Sequence, residues 1–431
     1  MRVIHFVGGS LDMGKCVVII GAGVIGLATA YYCARRGLEV MVVERKGAER
    51  DGTSYGNAGM IVPSHFTPLA APGMVALGLK WMWNPASPFY IKPRLDRDLL
   101  SWGVKFWRAA NPNHVRRVAP LIRDLSLASR ACFEELAGLP GMDFGLVKKG
   151  LLMLCQTERT LEEEGRTVEQ ARSLGIPAEL LDTQQTAALD PGAKVAVAGA
   201  VYFPKDCHIS PARFMAALQA LCERVGVKFF WHAETVGFRL GSKSLVRAAQ
   251  LADGRAIDGH EFLVCGGSWS PALGRELGLN LPIQAGKGYS LTLTQPRRRL
   301  EICTILTEAR VAVTPMGDTL RVGGTMELSG LNADANPVRV RRIVESFCRY
   351  YPEFSPEDFA GLKPWCGLRP CSPDGLPYMG RTSRYTNLSV AAGHAMMGMS
   401  LGPVTGQLMA ELLSGEKPSL DLTPLSPDRY Q

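Results

Sequence analysis

The 431-residue chain lacks the paired residues that usually hold metals. Its eleven cysteines include no CxxC pair and its seven histidines include no HxxxH pair. This spacing argues against structural zinc, an iron–sulfur cluster or another metal site. The scattered cysteines, several of them in apolar runs, predict buried and reduced thiols in a cytoplasmic protein. Internal repeats and low-complexity tracts are also missing, so we expect a globular chain long enough for two intergrown domains.

Long apolar runs are scarce too. Residues 16–34 carry no charge, but three glycines and short flanking runs favour a buried strand and helix over a membrane span. The N-terminal residues MRVIHFVGGSLDMGK do not resemble a signal peptide. Either Met1 or Met13 can be the natural start, because an apolar strand pattern begins just after the second methionine.

The most informative segment runs from Cys16 to Glu44. A β-branched apolar strand leads into GAGVIG, a helical pattern follows, and a second strand ends in the acidic residue. Gly21 suits a tight turn, Gly23 a close approach to a pyrophosphate, and Gly26 close packing of helix on strand. The helix N-terminus offers N–H groups and partial positive charge to phosphates. Glu44 can accept hydrogen bonds from ribose hydroxyls and disfavours a 2′-phosphate, so FAD or NAD fits better than NADP.

Patterns along the rest of the chain predict an α/β fold. Strand-and-glycine elements recur at the start, middle and end, with strand-rich insertions between them. Strands with a turn are predicted at 144–155, further strands at 227–232, 234–239, 245–251, 261–265 and 387–392, and an antiparallel sheet within 288–328. Helices are predicted at 96–136, 158–175, 337–350, 403–413 and from Pro211 to Gly226, with Ser210 as a cap.

Positive charge and tryptophan are concentrated in one region. Residues 92–130 hold nine Lys or Arg against three Asp, and Trp81, Trp83, Trp102 and Trp107 lie beside or within it. A solvated helical region with buried aromatics is the favoured interpretation. A membrane-surface patch stays open as an alternative, whereas no nucleic-acid-binding motif accompanies the charges, so we expect no nucleic-acid partner.

A combination of motifs gives the chain a resemblance to a known family. From about Cys16 to Tyr430 it resembles the FAD-dependent D-amino acid dehydrogenases, within the wider group of D-amino acid, glycine and sarcosine oxidases. The motifs, in order, are GAGVIG (21–26), TSYGNAG (53–59), PLAAPG (68–73), KGYSLTL (287–293), RVGGTMELSG (321–330), GLRPCSPDGLPYMGR (367–381) and AAGHAMMGMSLGPVTGQL (391–408).

The resemblance implies a fold in two parts. A Rossmann-like FAD-binding domain would be assembled from residues 15–65, 196–285 and 361–431. An α+β substrate domain, built on an antiparallel sheet, would comprise residues 66–195 and 286–360. Sarcosine oxidases carry a flavin-tethering cysteine where this chain has Gly367, so the resemblance implies a noncovalent FAD.

The resemblance also implies cofactor contacts. Val236 matches a position whose backbone meets the adenine, and residues 398–400 open a last helix whose N-terminus faces the flavin. The full set of implied cofactor residues is Gly21, Gly23, Val24, Ile25, Gly26, Glu44, Arg45, Ser54, Asn57, Ala58, Gly59, Val236, Gly266, Gly267, Trp269, Gly398, Met399 and Ser400.

Four further residues are implied at the substrate. Arg369 matches the clamp that holds the substrate carboxylate, since a planar guanidinium can donate two parallel hydrogen bonds. Tyr289 and His394 match positions near the flavin and the substrate. His65 replaces an aromatic residue of some relatives, and either a pocket-lining role or a loop role suits it.

The implied reaction is oxidative deamination of D-amino acids to 2-oxo acids and ammonia. Hydride would pass to flavin N5, and a quinone or another acceptor would take the electrons. Alternatives are a D-proline, D-hydroxyproline, sarcosine or glycine-type amine dehydrogenase or oxidase, a noncatalytic FAD-binding subunit of an electron-transfer complex, and a nicotinamide dehydrogenase. The expected location is cytoplasmic, with peripheral contact at the cytoplasmic face of a membrane left open.

Overall fold

The computed structural model describes residues 15–82, 87, 89–242 and 244–431. Met1 and Met13, the two candidate starts, lie outside these residues. The helices are α1 Val24–Ala34, α2 Met74–Met82, α3 Arg97–Ala109, α4 Pro112–Ala137, α5 Glu158–Ser173, α6 Thr183–Leu189, α7 Pro211–Arg224, α8 Ser270–Glu276, α9 Pro337–Tyr350 and α10 Gly402–Ser414. The strands are β1 Cys16–Ile20, β2 Glu39–Val43, β3 Met60–Ile61, β4 Phe89–Ile91, β5 Leu151–Cys155, β6 Glu179–Asp182, β7 Gly199–Phe203, β8 Cys207–His208, β9 Lys228–Phe230, β10 Thr235–Leu240, β11 Val246–Leu251, β12 Ala256–Asp258, β13 Glu261–Val264, β14 Gln284–Leu293, β15 Cys303–Leu306, β16 Val311–Met316, β17 Thr319–Leu328, β18 Trp365–Cys371, β19 Tyr378–Arg381 and β20 Leu388–Ala392.

A six-stranded sheet contains the glycine-rich segment. Its strand order is β19-β20-β13-β1-β2-β9, and every neighbouring pair is parallel except β19 with β20. β1 is central because it is apolar on both faces. Val17 and Ile19 pack in the cluster with helices α1, α7 and α10, whereas Val18 and Ile20 pack toward the antiparallel sheet β10-β11-β12. The predicted Rossmann-like domain assembled from separated segments is confirmed.

Two glycines bring α10 close to α1. A Cβ at Gly402 would lie 2.6 Å from a methyl of Val24, and one at Gly406 would overlap the backbone of Ala28. A larger residue at either position would push the last helix away from the first. This close packing places the residues just before α10 beside the end of β1.

The second large sheet is mostly antiparallel. Its order is β18-β14-β17-β16-β15-β5-β7-β6, with β4 beside β17, and only the β5–β15 and β4–β17 pairs are parallel. α9 covers one face through Phe347 and its neighbours. The predicted domain limits stay a prediction. β7 and β18 belong to this sheet, although the limits assign their residues to the FAD-binding segments.

Several local predictions differ from the structure. Residues 144–150 form no regular strand, because Gly145 and Gly150 have φ of +67° and +80° and interrupt an extended run. The sequence patterns do not predict strands β3, β4, β6, β7, β8, β12, β18 and β19. Ser210 stands at the N-cap of α7, but its side chain makes no capping hydrogen bond.

The cysteines and the helices bear on two further predictions, reduced thiols and no membrane span. All eleven cysteines lie in the described part of the chain and are free, and eight of them are buried. Among the described helices, none combines the length and apolarity needed to cross a bilayer.

Candidate active site

A cavity of about 460 Å³ lies at the carboxyl ends of β1, β2, β13 and β20, against strand β18 of the larger sheet. The carboxyl edge of a parallel sheet is where such folds bind their ligands. The cavity brings together most of the predicted site residues. Those that line it are Gly21, Gly23, Val24, Ile25, Glu44, Arg45, Ser54, Asn57, Gly266, Gly267, Trp269, Gly398, Met399, Arg369 and His394.

The three glycines of the turn differ in what surrounds them. Gly21 has φ of +108°, and a Cβ there would lie 2.7 Å from the carbonyl oxygen of Cys265. A Cβ at Gly26 would overlap the carbonyl oxygen of Gly21. At Gly23 a Cβ would meet only Ser54 Oγ, at 3.5 Å. The first and third glycines are therefore required by the fold, whereas the second leaves open space beside the cavity.

Glu44 is held at the cavity wall by backbone donors. Its Oε2 accepts from the N–H of Ala22 at 2.8 Å and its Oε1 from the N–H of Lys46 at 3.0 Å. Each carboxylate oxygen can accept more than one hydrogen bond. Both therefore keep capacity for hydroxyl groups of a ligand.

The loop after β2 closes over the start of α1. Ser54 Oγ accepts from the N–H of Val24 at 3.0 Å. Arg321, which sequence reasoning missed, donates from Nη1 to the carbonyl oxygens of Tyr55 and Asn57 at 3.0 and 2.8 Å. Burial lowers the pKa of Arg321 to about 10, so it remains a cation that ties this loop to β17. Nearby, the Arg45 guanidinium lies 3.7 Å from the centre of the Trp269 ring.

These features fit FAD. Glu44 is suited to a ribose, and the open backbone at Gly23 with the N-terminus of α1 is suited to a pyrophosphate. Gly398, Met399 and His394 form another part of the wall. Because α10 begins directly after this stretch, the positive end of its dipole lies near that wall.

Arg369 supplies positive charge from β18. Its Nη1 donates to the carbonyl oxygen of Thr325 at 2.7 Å. A Cβ at Gly288, on the neighbouring strand β14, would overlap the guanidinium, so glycine makes room for it. Burial lowers the pKa of Arg369. Among the described residues, no carboxylate forms an ion pair with this side chain.

The carbonyl that holds Arg369 belongs to an irregular piece of backbone. Thr325 has φ of +71°, and the β14–β17 register shifts opposite it, between Lys287 and Tyr289. A β-branched residue rarely adopts this conformation. The sequence carries no sign of it, because a threonine in an apolar strand pattern predicts regular extended backbone.

His394 is buried at the wall near Arg369. Its Nε2 lies 3.0 Å from Thr405 Oγ1. Burial lowers its pKa to about 3, so the imidazole is neutral at physiological pH.

Strand β18 is tied to both cofactor loops through one carbonyl group. Thr53 Oγ1 and Ser268 Oγ donate to the carbonyl oxygen of Leu368 at 3.1 and 2.9 Å. Neither hydroxyl was singled out from the sequence. Together they fix the strand that carries Arg369 relative to the dinucleotide loops.

The remaining predicted site residues do not line the cavity, and the roles of all the predicted site residues stay predictions. Tyr289 lies on the face of β14 opposite Gly288, and its hydroxyl donates to Glu327 Oε2 at 2.9 Å within a buried cluster. The Nδ1 of His65 lies 3.0 Å from Ser64 Oγ, and burial lowers the pKa of this histidine to about 4.

The other residues outside the lining belong to the cofactor set. They are Gly26, Ala58, Gly59, Val236 and Ser400. Val236 is half exposed, whereas its neighbour Thr235 lines the cavity. Ser400 Oγ accepts from the N–H of Val62 at 3.1 Å and so supports the wall from behind.

Solved structures share this fold. The crystal structure of glycine oxidase from Geobacillus kaustophilus has a TM-score of 0.76 and 25% sequence identity, covering 97% of this chain and 100% of that one. The structure of L-proline dehydrogenase from P. horikoshii has a TM-score of 0.72 at 17% identity, covering 97% and 98%. At that lower identity the likeness concerns the fold alone.

Sequence relatives extend over nearly the whole chain. The D-amino acid dehydrogenase of Rhizorhabdus wittichii is 34% identical over 428 residues, covering 96% of this chain and 100% of that protein. The D-amino acid dehydrogenase of Granulibacter bethesdensis is 32% identical over 421 residues, covering 96% and 99%. A family model described as DAO, FAD dependent oxidoreductase, matches residues 16–412. The chain therefore belongs to the DAO family of FAD dependent oxidoreductases.

Proposed function

We propose that the chain oxidises D-amino acids to 2-oxo acids and ammonia and passes the electrons to a quinone or another acceptor rather than to oxygen. The observation that carries the proposal is Arg369, a partly buried guanidinium at the cavity wall whose one hydrogen bond goes to a backbone carbonyl. A partly buried cation without a carboxylate partner favours an anionic ligand. The names of the relatives in Rhizorhabdus and Granulibacter support a D-amino acid as that ligand.

The chain's own residues would position the substrate. When bound, FAD supplies the acceptor for the hydrogen and electron pair that leave the substrate Cα. Arg369 holds the carboxylate with the donors that Thr325 leaves free, which fixes the face presented to the cofactor. His394 is neutral and adds no competing charge. The amine reacts in its neutral form, and water then hydrolyses the imino acid to the 2-oxo acid and ammonia.

A noncovalent cofactor is part of the proposal. Gly367 stands where a tethering cysteine would be needed, and a Cβ there would overlap the ring of Trp365. Cys366 lines the cavity, but it is the adjacent residue in a strand and points to the other face. Acid precipitation of the yellow holoenzyme should leave the flavin in the supernatant. Colour that stays with the precipitated chain would contradict this part.

Secondary amines and glycine are the alternative substrates. D-Proline, D-hydroxyproline, sarcosine and glycine all carry a carboxylate that Arg369 could bind, and the structure of glycine oxidase is among the similar ones. A noncatalytic FAD-binding subunit is the alternative of another class. Turnover by the isolated chain separates these possibilities.

The test is a substrate panel with purified holoenzyme and an artificial dye acceptor. We expect D-amino acids to reduce the dye and their L-enantiomers to be inert. Preference for glycine, sarcosine or D-proline would redirect the assignment to those amines. No turnover with any of them would favour the noncatalytic subunit.

The acceptor is tested in the same assay. Under air, dye reduction should far exceed formation of hydrogen peroxide. Comparable amounts of peroxide would make the enzyme an oxidase.

A peripheral membrane contact is the final part of the proposal, and helix α3 supports it. The helix is apolar on two faces. Its inner face packs against the core through Leu99, Trp102 and Phe106. Its outer face exposes Leu100, Val104 and Trp107, which are 61%, 49% and 65% accessible. Trp102, part of the predicted basic and aromatic region, is thus a core residue, whereas Trp83 and the side chain of Trp81 lie outside the described part of the chain.

Exposed cations on α3 and on the neighbouring segments of the chain favour an anionic lipid surface. The exposed cations are Lys92, Arg97, Arg108, Arg116 and Arg117. The exposed acid Asp98 is paired with Arg275. Each cation near an anionic membrane contributes about 1 kcal/mol to binding. We place this contact on the cytoplasmic face, in keeping with the free thiols.

Vesicles test the contact. The holoenzyme should bind anionic vesicles at low salt, less at high salt, and Trp107→Ser should weaken binding. Leu180→Ser is the matched control, because Leu180 is an exposed apolar residue on β6. Failure to bind anionic vesicles at low salt would remove the membrane contact without affecting the substrate assignment.

A further inference from the structure

A buried cation at the dinucleotide end of the cavity has no assigned role. Arg50 lies on the loop after β2, lines the cavity and is only 6% exposed. Removing a guanidinium from water is costly unless an anion or a full set of hydrogen bonds compensates. Burial accordingly lowers its pKa, although it stays charged.

The partners of Arg50 in the protein are neutral. Its Nε donates to the carbonyl oxygen of Ala22 at 2.9 Å, and its Nη1 donates to the carbonyl oxygen of Ala48 and to Gln219 Oε1 at 3.0 and 2.8 Å. Its Cζ lies 4.8 Å from the centre of the Trp231 ring. Throughout the described residues, no carboxylate comes within ion-pair distance of it.

One group of this guanidinium is unsatisfied. Arg50 Nη2 is buried and has no hydrogen-bond partner. Unsatisfied buried donors are rare in folded proteins, and each costs about 1–3 kcal/mol. Because Nε and Nη1 already have partners and Nη2 has no accessible surface, a ligand reaches Nη2 after a small shift of the side chain toward the cavity.

We infer that Arg50 binds a phosphate oxygen of the FAD pyrophosphate through Nη2. Its Nε donates to the carbonyl oxygen of Ala22, which lies between Gly21 and Gly23. The guanidinium therefore lies against the backbone that precedes α1. The open space at Gly23 and the N-terminus of α1 suit an anion at the same place. A pyrophosphate would complete the hydrogen bonds of Nη2 and neutralise the buried charge.

The inference rests on FAD binding, which family membership establishes, and not on the choice of amino acid. A ribose hydroxyl beside Glu44 is the competing acceptor for Nη2. It differs from a phosphate in carrying no charge and in being present in adenosine as well as in ADP. Binding of these two fragments therefore distinguishes the two acceptors.

The experiment measures dissociation constants of FAD, ADP and adenosine with apoprotein. Arg50→Gln should weaken the binding of FAD and of ADP by about tenfold or more, as expected for loss of a charge-assisted hydrogen bond. The affinity for adenosine should stay nearly unchanged. The salt dependence of ADP binding should also decrease, since one phosphate contact is lost. Arg50→Lys should recover part of the affinity, because it keeps the charge without the planar fork.

Arg213→Gln is the control, because Arg213 is a half-exposed arginine on α7 that pairs with Asp143. The melting temperature of the Arg50→Gln apoprotein reports on folding, because the variant loses a buried charge but also the hydrogen bonds to Ala22, Ala48 and Gln219. Equal weakening of ADP binding and adenosine binding would show that Nη2 donates to the ribose. Unchanged ADP affinity in a folded variant would overturn the inference.

Discussion

The two walls of the cavity are built by different means. The dinucleotide wall consists largely of backbone groups around Gly21, Gly23 and the start of α1. The wall that we propose for the substrate depends on one side chain, Arg369, which is held by the carbonyl of Thr325 on another strand. A ligand bound by backbone can be recognised from local glycine spacing. A ligand bound by side chains depends on strand register, which local sequence does not reveal.

The largest expected effect tests the substrate wall. Arg369→Ala should lower kcat/KM at least about a hundredfold, because hydrogen bonds to a charged group contribute about 1.5–3 kcal/mol each and 1.36 kcal/mol is tenfold in rate. Arg369→Lys should restore only part of the loss. Steady-state kinetics with each accepted amino acid provide the measurement.

The same variant sharpens the comparison between the walls. Arg369→Ala should keep its FAD and its colour, since the change leaves the dinucleotide wall intact. Arg299→Ala is the control, because Arg299 is an exposed arginine paired with Asp318. Near-normal kinetics for Arg369→Ala would mean that the carboxylate docks elsewhere.

Substitutions at two glycines test the dinucleotide wall. Gly26→Ala should destabilise the protein by about 1–3 kcal/mol, because the added methyl overlaps the carbonyl oxygen of Gly21. Gly23→Ala should leave the melting temperature of the apoprotein nearly unchanged and weaken FAD binding. Gly23→Val should abolish FAD binding. Thermal melts and FAD titrations of both apoproteins distinguish the two roles. Equal loss of apoprotein stability in both variants would contradict the division between them.

The dependence of stability on pH tests the burial of His394 at the cavity wall. His394 takes up a proton near pH 3 in the folded protein, against 6.5 for an ordinary histidine. Between these values the unfolded chain binds more protons, so stability falls as pH falls. Lowering the pH from about 7 to about 5 should cost about 2 kcal/mol through this residue.

Chemical denaturation at the two pH values measures this cost. His394→Gln should reduce this loss of stability in acid, whereas His232→Asn, at an exposed histidine with φ of +53°, should not. An unchanged pH dependence in His394→Gln would show that the histidine is not buried in neutral form.

The smallest effect concerns Thr325. Thr325→Gly should raise the free energy of unfolding by about 1 kcal/mol, because the strain of a left-handed threonine, about 1–3 kcal/mol, exceeds the entropy cost of glycine. KM should rise modestly, since the carbonyl that holds Arg369 becomes less rigid. Equilibrium unfolding combined with kinetics checks both expectations. A lower stability would mean that the threonine is not strained.

Most of the residues that the sequence predicts at the dinucleotide line the cavity, and their roles stay predictions. Gly21, Glu44 and Trp269 line the cavity as expected, because their positions follow directly from strand ends. Most strand and helix positions agree as well, since apolar periodicity determines them. Arg369 was located through a motif, but its partner Thr325 was not, because a register shift between β14 and β17 cannot be read from either strand alone.

Arg50 and Leu368 illustrate a second limit. Arg50 lies in a polar loop where arginine is ordinarily exposed, and only the tertiary packing of Trp231 and Gln219 buries it. The Leu368 carbonyl oxygen accepts hydrogen bonds from hydroxyl groups on two loops that are distant in sequence. Contacts of this kind depend on the assembled fold and leave no local pattern.

The strand order of the six-stranded sheet has a consequence for synthesis on the ribosome. β1 is translated early, but its neighbour β13 and the next strand, β20, follow much later, and residues 398–399 of the cavity wall later still. A nascent chain must therefore keep an apolar strand edge unpaired for most of its translation, which favours chaperone contact. Binding of the flavin therefore becomes one of the last events of biogenesis. A chain truncated before β20 could not retain the flavin.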